Sequence, residues 1–401
     1  MERVVYSDNA ATTPISKNVY NAMLPYLTTG YGNPSSLYTL AREEKKAVDQ
    51  ARLYVAQCLN CEPDEVIFTS GGSEADNMAL KGLLFAKNFP KEKRHIVTSA
   101  IEHHAILHTC EFLERIGYEV TYVGVDEQGH VKLDELEQAI TERTALVSIM
   151  AANNEIGTIQ DLKAIAALCH SKGTLFHTDA VQAVGHMKID VKEMGIDMLS
   201  LSGHKLRGPK GVGALYCRRG IVLEPLIHGG GQERGKRSGT ENVAGIVGLG
   251  EAIRYAHEHM GEYLPYVASL RDRLIEGVCK IPYTRLTGDP VNRLPGTASF
   301  VIECIEGESL VLRLDLVGIA TSTGSACSTG SLDPSHVLMA IGLPHEIAHG
   351  SLRVTLGEQN TVEDVDYLIE KINYVVKTLR DLSPVWDEKM SGQPMLKLFD
   401  K

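Results

Sequence analysis

The sequence predicts an α/β protein with a large domain built on a mostly parallel sheet and a smaller α+β domain. Between about residues 66 and 217, seven short apolar runs alternate with stretches of helical periodicity. Alternation of strands and helices is typical of a doubly wound parallel sheet. The chain has 401 residues, more than a single hydrophobic core usually serves, so a second domain is expected.

Seven apolar runs are the candidate strands of the large domain: 66–68, 95–97, 120–123, 145–149, 174–176, 198–201 and 212–216. Helical segments separate several of them, for example 161–172, where apolar residues recur at helical spacing. A long helical pattern begins at about Val243 and leads into the second domain. Its candidate strands are 298–302 and 352–355, and its candidate helices are 310–316, 336–341 and 362–379. We therefore expect a large domain at 15–255 and a small domain formed by 1–14 and 256–401.

Composition and charge narrow the class of protein. Hydrophobic residues make up 43% of the chain and the formal net charge is −11. Nucleic acid is not expected as the main partner, because phosphate binding requires a surplus of lysine and arginine. No apolar run has the length of a membrane span, and the first residues show no secretory signal. A cytoplasmic protein without membrane contact is expected.

The eight cysteines are scattered along the chain, which is not typical of a disulfide framework. Cys58 and Cys61 form a C-x-x-C pair without nearby partner ligands, so a structural role is favoured over zinc. His104 and His108 have a spacing that can chelate zinc on a helix, but no third ligand is evident. No metal site is therefore expected.

An acid and a lysine follow two neighbouring apolar runs. Asp179 follows the run 174–176 and Lys205 follows the run 198–201. If both runs are parallel strands of one sheet, these side chains meet at its carboxyl edge, where open α/β folds bind ligands. An acid at a pyridinium nitrogen and a Schiff-base lysine are what pyridoxal phosphate (PLP) requires. A capping aspartate and a solvated lysine are the alternative interpretation of the pair.

Two glycine-rich segments are candidate anion sites. Residues 69–75 lead from an apolar strand into a helix, so glycine amides, the Ser73 hydroxyl and the helix N-terminus could hold a phosphate. An ordinary helix cap is the alternative. Residues 230–236 approach the nucleotide P-loop pattern, but Arg237 stands where a serine or threonine should hold magnesium. A P-loop is rejected, although this segment could still contact an anion.

The second domain contains a cysteine and an arginine suited to substrate chemistry. Residues 320–331 are nearly all small, polar or glycine, so a mobile loop at about 320–333 is expected around Cys327. Such a thiolate could reach a substrate and carry a group away, and an unreactive surface cysteine is the alternative. Arg353 lies on a candidate strand, and its planar fork suits a carboxylate.

Taken together, the motifs closely resemble those of NifS/IscS-type cysteine desulfurases, which are class V aminotransferase-like enzymes of the fold-type I group of PLP enzymes. The matching segments follow the family's order over nearly the whole chain: 7–14, 32–36, 153–157, 177–182, 202–205, 237–242 and 325–327. Departures are small. Ser73 stands where threonine is frequent, and Leu37 and Tyr38 replace a histidine often found there.

The resemblance implies a role for each matching residue. Lys205 would bind PLP and then move protons, and Asp179 would keep the pyridine nitrogen protonated. The remaining cofactor contacts would come from His103 stacking on the ring and aiding proton transfer, Gln182 at the ring hydroxyl, Asn154, and Gly72, Ser73, Ser202 and His204 at the phosphate. Thr240 would reach the phosphate from the partner subunit of a homodimer with shared sites. Asn154 and Arg353 would bind the substrate carboxylate, and Cys327 would be the nucleophile.

The resemblance implies conversion of L-cysteine to L-alanine, with sulfur passing to Cys327 as a persulfide and then to an acceptor such as an iron–sulfur scaffold. Cys327 could contact an iron–sulfur cluster transiently. The motifs fit housekeeping iron–sulfur assembly and service to nitrogenase alike. The alternatives are a selenocysteine lyase or other PLP-dependent lyase or aminotransferase of the same fold, and a non-enzymatic sulfur- or metal-cluster-binding protein.

Overall fold

The computed structural model describes residues 3–324 and 334–391. The chain divides into two compact units. Unit 1 contains Met1–Ala11, Glu155–Gly157 and Tyr263–Lys401, and unit 2 contains Thr12–Asn154 and Thr158–Glu262. The sequence placed the corresponding limits after residues 14 and 255 and did not anticipate that 155–157 would group with unit 1.

The strands, numbered along the chain, are β1 (Val5–Tyr6), β2 (Val66–Thr69), β3 (His95–Ser99), β4 (Glu119–Val123), β5 (Thr144–Ser148), β6 (Leu175–Asp179), β7 (Met198–Ser202), β8 (Gly213–Cys217), β9 (Thr284–Leu286), β10 (Thr297–Ile302), β11 (Ile319–Ala320) and β12 (Ser351–Thr355). The α-helices are α1 (Lys17–Thr28), α2 (Thr39–Leu59), α3 (Gly72–Asn77), α4 (Leu83–Phe85), α5 (His104–Arg115), α6 (Leu133–Ala139), α7 (Leu162–Ser171), α8 (Val191–Met194), α9 (Val243–Val278), α10 (Gly307–Leu316), α11 (His336–Ala340), α12 (His345–Ala348), α13 (Val362–Arg380) and α14 (Pro384–Ser391).

Unit 2 is built on a seven-stranded sheet with the order β2-β8-β7-β6-β5-β3-β4. Strands β4, β3, β5, β6 and β7 are parallel to one another, and β8 is antiparallel to both β7 and β2. All residues of β3, β5, β7 and β8 are buried, as expected where helices cover both faces of a sheet. The predicted mostly parallel sheet is confirmed.

Helix α7 shows why the sequence pattern of this unit was readable. Its N-cap residue Asp161 accepts a hydrogen bond from the Ala164 amide at 3.0 Å, which satisfies one of the free donors of the first turn. Leu162, Ile165, Ala166 and Cys169 form its buried face. These residues recur at the helical period, and burial of that face rather than intrinsic propensity stabilises a helix of this length.

Unit 1 is an α+β unit. Its three-stranded antiparallel sheet has the order β12-β10-β9, and the two-residue strands β1 and β11 pair in parallel. The core packs β10 and β12 against α10 and α13 through Phe300, Leu314, Leu352 and Leu368. Sequence reasoning missed β1, β9 and β11, because two or three residues carry too little periodicity to be recognised.

Among the described residues, no helix is both long enough and apolar enough to cross a membrane.

Candidate active site

The carboxyl ends of β6 and β7 bring the predicted acid and lysine to one edge of the sheet. The two strands are parallel neighbours, with Asp179 in register with Ser200. Lys205 ends the single 3₁₀ turn that directly follows β7. Interactions with His103 and with Lys205 both act to lower the pKa of the Asp179 carboxyl group. The sheet therefore brings Asp179, Lys205 and His103 together, whereas the alternative of an isolated capping aspartate predicted no such cluster.

Asp179 is a buried acid with fixed geometry. Its residue is 5% exposed, and its Oδ1 accepts a hydrogen bond from the Val181 amide at 2.9 Å. Burial raises the pKa of Asp179, while the charges of His103 and Lys205 act in the opposite direction. A buried carboxylate is stabilised by a cation that it contacts directly. A protonated pyridine nitrogen would be such a cation.

Other buried polar side chains surround Asp179. The His177 ring, fully buried, shares hydrogen bonds with Ser148 Oγ at 2.9 Å and Ser200 Oγ at 3.0 Å. Burial lowers the pKa of His177 to about 3, so this imidazole is neutral. Asp76 Oδ1 lies 3.8 Å from His177 Nε2, and burial followed by the negative charge of Asp179 raises the pKa of Asp76 well above its usual range.

Glu102 is the third buried acid of this cluster. Its Oε1 accepts hydrogen bonds from Ser99 Oγ at 2.6 Å and from the Met150 amide at 3.0 Å. Burial raises the pKa of Glu102 to about 8. Because Asp76 and Glu102 favour their neutral forms, Asp179 is the member of the cluster best placed to carry the negative charge.

Sequence reasoning assigned no role to Asp76, Glu102 or His177. His177 belongs to the matching segment 177–182, and Glu102 directly precedes His103. In sequence, however, nothing separates a buried acid from an ordinary surface carboxylate. The signal exists only once the strands are paired.

The turn between β2 and α3 is shaped by glycine. Gly71 has φ +156° and ψ −178°, a conformation that L side chains rarely adopt. A Cβ on Gly72 would lie 2.5 Å from Val181 Cγ2, so only glycine lets this turn pack beside the strand end that carries Asp179. The Ser202 hydroxyl lies 3.9 Å from where a Cβ on Gly71 would be. Two predicted phosphate ligands, Gly72 and Ser202, are thus brought together, and Ser73 lies exposed on the first turn of α3.

The N-terminal motif holds the turn that carries Lys205. Thr13 donates to the His204 carbonyl oxygen from both its amide, at 3.0 Å, and its hydroxyl, at 2.7 Å. His204 Nδ1 also shares a 3.1 Å hydrogen bond with Thr12 Oγ1. Burial, together with the charges of Lys205 and Lys210, lowers the pKa of His204 to about 4. A neutral His204 could donate a ring proton to an anion.

His103 is oriented by the helix that it begins. It is the N-cap of α5, and its Nδ1 accepts a hydrogen bond from the Ala105 amide at 3.1 Å. An Nδ1 that accepts leaves the ring proton of the neutral form on Nε2. His104 and His108, the pair with zinc-ligand spacing, stack on each other with ring centroids 4.9 Å apart.

The predicted residues Asn154 and Gln182 are half-buried, as is Lys205, and Thr240 is exposed. Thr240 follows Arg237, which pairs with Glu74 of α3 at 2.9 Å. Glu74 Oε2 in turn accepts from the Ser70 amide at 2.8 Å. The segment that carries Thr240 is therefore anchored to the glycine turn of its own chain.

Unit 1 contains the predicted carboxylate-binding arginine. Arg353 on β12 is 3% exposed, and its Nη2 donates to Asp8 Oδ1 at 2.9 Å. The arginine is thus already oriented by an acid of the N-terminal motif. Cys327, with Ser325 and most of the expected loop at 320–333, lies outside the described residues.

The seven cysteines in the described part of the chain are not activated thiols. Burial raises the pKa of every one of them, to about 12 for Cys58, Cys61, Cys110 and Cys169 and to about 11 for Cys217, and in the same direction for Cys279 and Cys304. A nucleophilic cysteine needs a lowered pKa and access to solvent. None of these seven combines the two properties.

The residues present fit PLP. A buried carboxylate is available for a pyridine nitrogen, a lysine lies within its electrostatic reach, and a turn that admits no Cβ lies beside a serine hydroxyl for a phosphate. A general acid–base site would not need the glycine turn, and an anion site would not need the buried acid. The combination is what a phosphorylated pyridine requires.

Comparisons with known proteins identify the family of this chain. The Aminotransferase class-V family model matches residues 5–368. The cysteine desulfurase IscS of Clostridium botulinum is 54% identical over 396 residues, covering 98% of this chain and 99% of that protein. IscS of Methanosarcina thermophila is 55% identical over 383 residues, covering 96% and 94%.

Solved structures show the same fold. A NifS-like protein superposes with a TM-score of 0.88 at 41% identity, covering 94% of this chain and 100% of that one. A NifS-like protein from Rickettsia africae gives a TM-score of 0.85 at 31% identity, covering 94% and 100%. The predicted fold and the resemblance drawn from the motifs are both confirmed. The chain belongs to the class-V aminotransferase family, in the IscS and NifS group of cysteine desulfurases.

Proposed function

We propose that this protein uses PLP to convert L-cysteine to L-alanine and passes the sulfur, as a persulfide on Cys327, to an acceptor protein. The observation that carries the proposal is the meeting of Asp179 and Lys205 at the carboxyl ends of β6 and β7, beside the glycine turn. When bound, PLP supplies an electron sink that stabilises negative charge at the substrate Cα.

The described residues account for holding the cofactor and moving protons. Lys205 would bind it covalently, and its Nζ would then take the proton from the substrate Cα. The Asp179 carboxylate would hold the proton on the pyridine nitrogen. Asp76 and Glu102 favour their neutral forms, which leaves Asp179 as the negatively charged member of these three acids. Gly72, Ser73, Ser202 and His204 would bind the phosphate, with Gln182 and Asn154 as further contacts and His103 over the ring.

The sulfur step is assigned to Cys327. Its thiolate Sγ would attack the sulfur of the bound cysteine, forming an S–S bond while the substrate S–Cβ bond breaks. The bonding pair stays with Cβ, which takes up the proton that the substrate thiol has lost. The products are alanine and a persulfide anion on Cys327, so atoms and charge balance without an outside oxidant. Arg353 would bind the substrate carboxylate.

The oligomer, partners and location belong to the same proposal. Thr240 is exposed on a segment anchored through Arg237 and Glu74, which suits a residue that reaches a partner subunit in a homodimer. An iron–sulfur scaffold is the proposed class of sulfur acceptor. A cytoplasmic location agrees with the finding that none of the described helices could span a membrane.

The experiment is a single incubation with two readouts. The PLP-loaded protein is incubated with L-cysteine, alanine is assayed, and the persulfide is mapped by mass spectrometry of alkylated peptides. We expect one alanine per sulfur transferred and the modification on Cys327. Cys327→Ser should abolish sulfide release, whereas Cys279→Ser, at an exposed cysteine elsewhere, should not. Full activity of Cys327→Ser on cysteine would contradict the proposal, and activity retained on selenocysteine alone would favour a selenocysteine lyase.

A further inference from the structure

A buried glutamate contacts both ends of the segment that carries Cys327. The described chain before the segment ends at Gly324, and Ser335 is the second described residue after it. Glu155 is 5% exposed and Ser335 is 4% exposed, and the Ser335 hydroxyl donates a short hydrogen bond to Glu155 Oε2. On the other side, a Cβ built on Gly324 would lie 2.6 Å from the same Oε2 atom. One carboxylate oxygen therefore lies against both ends.

The two ends also lie against each other. A Cβ on Gly324 would be 3.8 Å from Ser335 Cβ, which is van der Waals contact. The chain that leaves at Gly324 thus returns to the same place at Ser335. Bringing two ends of a segment together costs conformational entropy, so a specific contact is needed to hold them, and Glu155 supplies one.

Glu155 stands on a fixed backbone within unit 1. The carbonyl oxygen of Ile156 accepts a hydrogen bond from Arg293 Nη2 at 2.6 Å, and the carbonyl oxygen of Gly157 accepts from the Leu294 amide at 2.9 Å. Arg293 is itself buried, at 3% exposure. The backbone that follows Glu155 is therefore fixed by hydrogen bonds to residues 293 and 294 of the same unit.

The end that follows the segment is ordered through the same hydrogen bond. Ser335 is the N-cap of α11, and its Oγ accepts from the amides of Val337 at 3.1 Å and Leu338 at 3.4 Å. Because the hydroxyl proton is given to Glu155, the oxygen lone pairs face the helix amides. Glu155 thus fixes the direction of the cap as well as the position of the end.

The end that precedes the segment is paired with Arg353. The Arg353 amide donates to the Ser322 carbonyl oxygen at 2.8 Å, and the Ser322 amide donates to the Arg353 carbonyl oxygen at 3.3 Å. Thr321 Oγ1 adds a 2.6 Å hydrogen bond to the same Arg353 oxygen. Residues 321 and 322 are therefore hydrogen-bonded to Arg353, the proposed carboxylate-binding residue on β12.

We propose that Glu155 is a positioning residue that holds Gly324 and Ser335 together and so favours attack by the Cys327 thiol on its substrate. The proposal rests on the proposed function, in which Cys327 takes the sulfur. Restricting a tethered nucleophile raises its effective concentration at the reacting atom. Glu155 acts on the sulfur step alone and leaves cysteine binding unchanged.

The test compares three variants with a matched control in the PLP-loaded full chain. Glu155→Ala removes the carboxylate, Glu155→Gln keeps an acceptor for the Ser335 hydroxyl, and Gly324→Ala displaces the carboxylate from the other side. The control Thr287→Val removes a buried hydrogen bond to Ser299 Oγ, 2.8 Å long, in the same unit. The readouts are the rate of persulfide formation on Cys327, the KM for cysteine, and hydrogen exchange of the peptides flanking the segment.

We expect Glu155→Ala and Gly324→Ala to slow persulfide formation by about tenfold or more, because a buried hydrogen bond at the end of the segment is lost. The KM should stay within about twofold, which fits loss of an interaction that substrate binding does not use. Amides of 337 and 338 should exchange faster in Glu155→Ala than in wild type. Glu155→Gln should retain the rate to within about threefold, because its amide oxygen can still accept from the Ser335 hydroxyl.

Two results would overturn the inference: wild-type persulfide rate and exchange in Glu155→Ala, or an equal loss in Thr287→Val. If the wild-type protein itself forms no persulfide on Cys327, it is the proposed function that fails. In that case hydrogen exchange alone decides whether Glu155 holds the two ends, and unchanged exchange in Glu155→Ala rejects it.

Discussion

Arg52 of α2 forms a buried ion pair with Glu233, which lies on the segment that leads to Thr240. Their side chains are 8% and 4% exposed. Arg52 donates from Nη1 to Glu233 Oε2 at 2.8 Å and from Nη2 to Oε1 at 2.6 Å, and the Phe68 amide donates to Oε2 at 3.0 Å. Glu233 thus ties α2 and β2 to this segment through a bidentate contact, which is the strongest common form of charged hydrogen bond.

Replacing Glu233 by alanine leaves the Arg52 guanidinium buried without its carboxylate. Removing one partner of a buried pair costs about 3–5 kcal/mol of unfolding free energy. Arg52 keeps its 2.8 Å hydrogen bond to the Val66 carbonyl oxygen, so we expect the lower end, about 3 kcal/mol. Glu233→Gln keeps one acceptor and should cost about half as much. The double variant Arg52→Met with Glu233→Leu should recover only part of the loss. An apolar pair of similar volume carries no charge-desolvation penalty, but the Phe68 amide loses its acceptor.

The assay is urea unfolding of the cofactor-free protein, with the midpoint and slope compared between variants. The control is Glu43→Ala, which breaks the pair of Glu43 with Lys46, whose side chains are 60% and 72% exposed. Exposed pairs contribute at most about 1 kcal/mol. If Glu233→Ala shifts the midpoint no more than Glu43→Ala does, burial of the pair has been misjudged and the reasoning is refuted.

Three further predictions concern the site itself. Gly72→Ala places a Cβ 2.5 Å from Val181 Cγ2, so PLP should dissociate faster and the free energy of unfolding should fall by about 1–3 kcal/mol. The control Gly261→Ala lies in open space on α9 and should be neutral or slightly stabilising. Equal effects of the two variants would exclude the close packing at Gly72. Asp179→Asn should lower the rate of alanine formation by about 100-fold or more, since it removes the charge opposite the pyridine nitrogen, and a change under about threefold would argue against that role. Burial raises the pKa of Glu102 from its ordinary value of 4.5 to about 8, so the folded state binds the extra proton and stability falls as pH rises between those values. Glu102→Gln should lose less stability than wild type between about pH 6.5 and 8 in urea titrations, and parallel pH profiles would contradict the assigned burial.

The buried cluster at Asp179 explains how this site can hold several acids at once. Asp76, Glu102 and Asp179 are all buried, yet Asp76 and Glu102 favour the neutral form, and the neutral His177 provides no counter-charge. His103 and Lys205 both act to lower the pKa of Asp179. The negative charge of these three acids is therefore expected on Asp179, the carboxyl group that a pyridinium nitrogen would contact.

The sequence by itself determined the alternation of strands and helices in unit 2, the motif residues and the family. These features are local, since helix and strand periods, glycine turns and short motifs are written in consecutive residues. The strands at 198–201 and 212–216 and the helix at 161–172 appear in the structure as β7, β8 and α7 with limits shifted by a residue or two.

Only the tertiary structure decided which of these residues meet. Strand order places β6 beside β7, and this pairing turns Asp179 and Lys205 from two unrelated side chains into one site. Asp76 and Glu102 are buried only because the folded chain surrounds them. Glu155 contacts Gly324 and Ser335, which are far from it in the sequence. Desolvation and long-range contacts depend on what surrounds a group in space, and these surroundings cannot be derived from the pattern of neighbouring residues in the sequence.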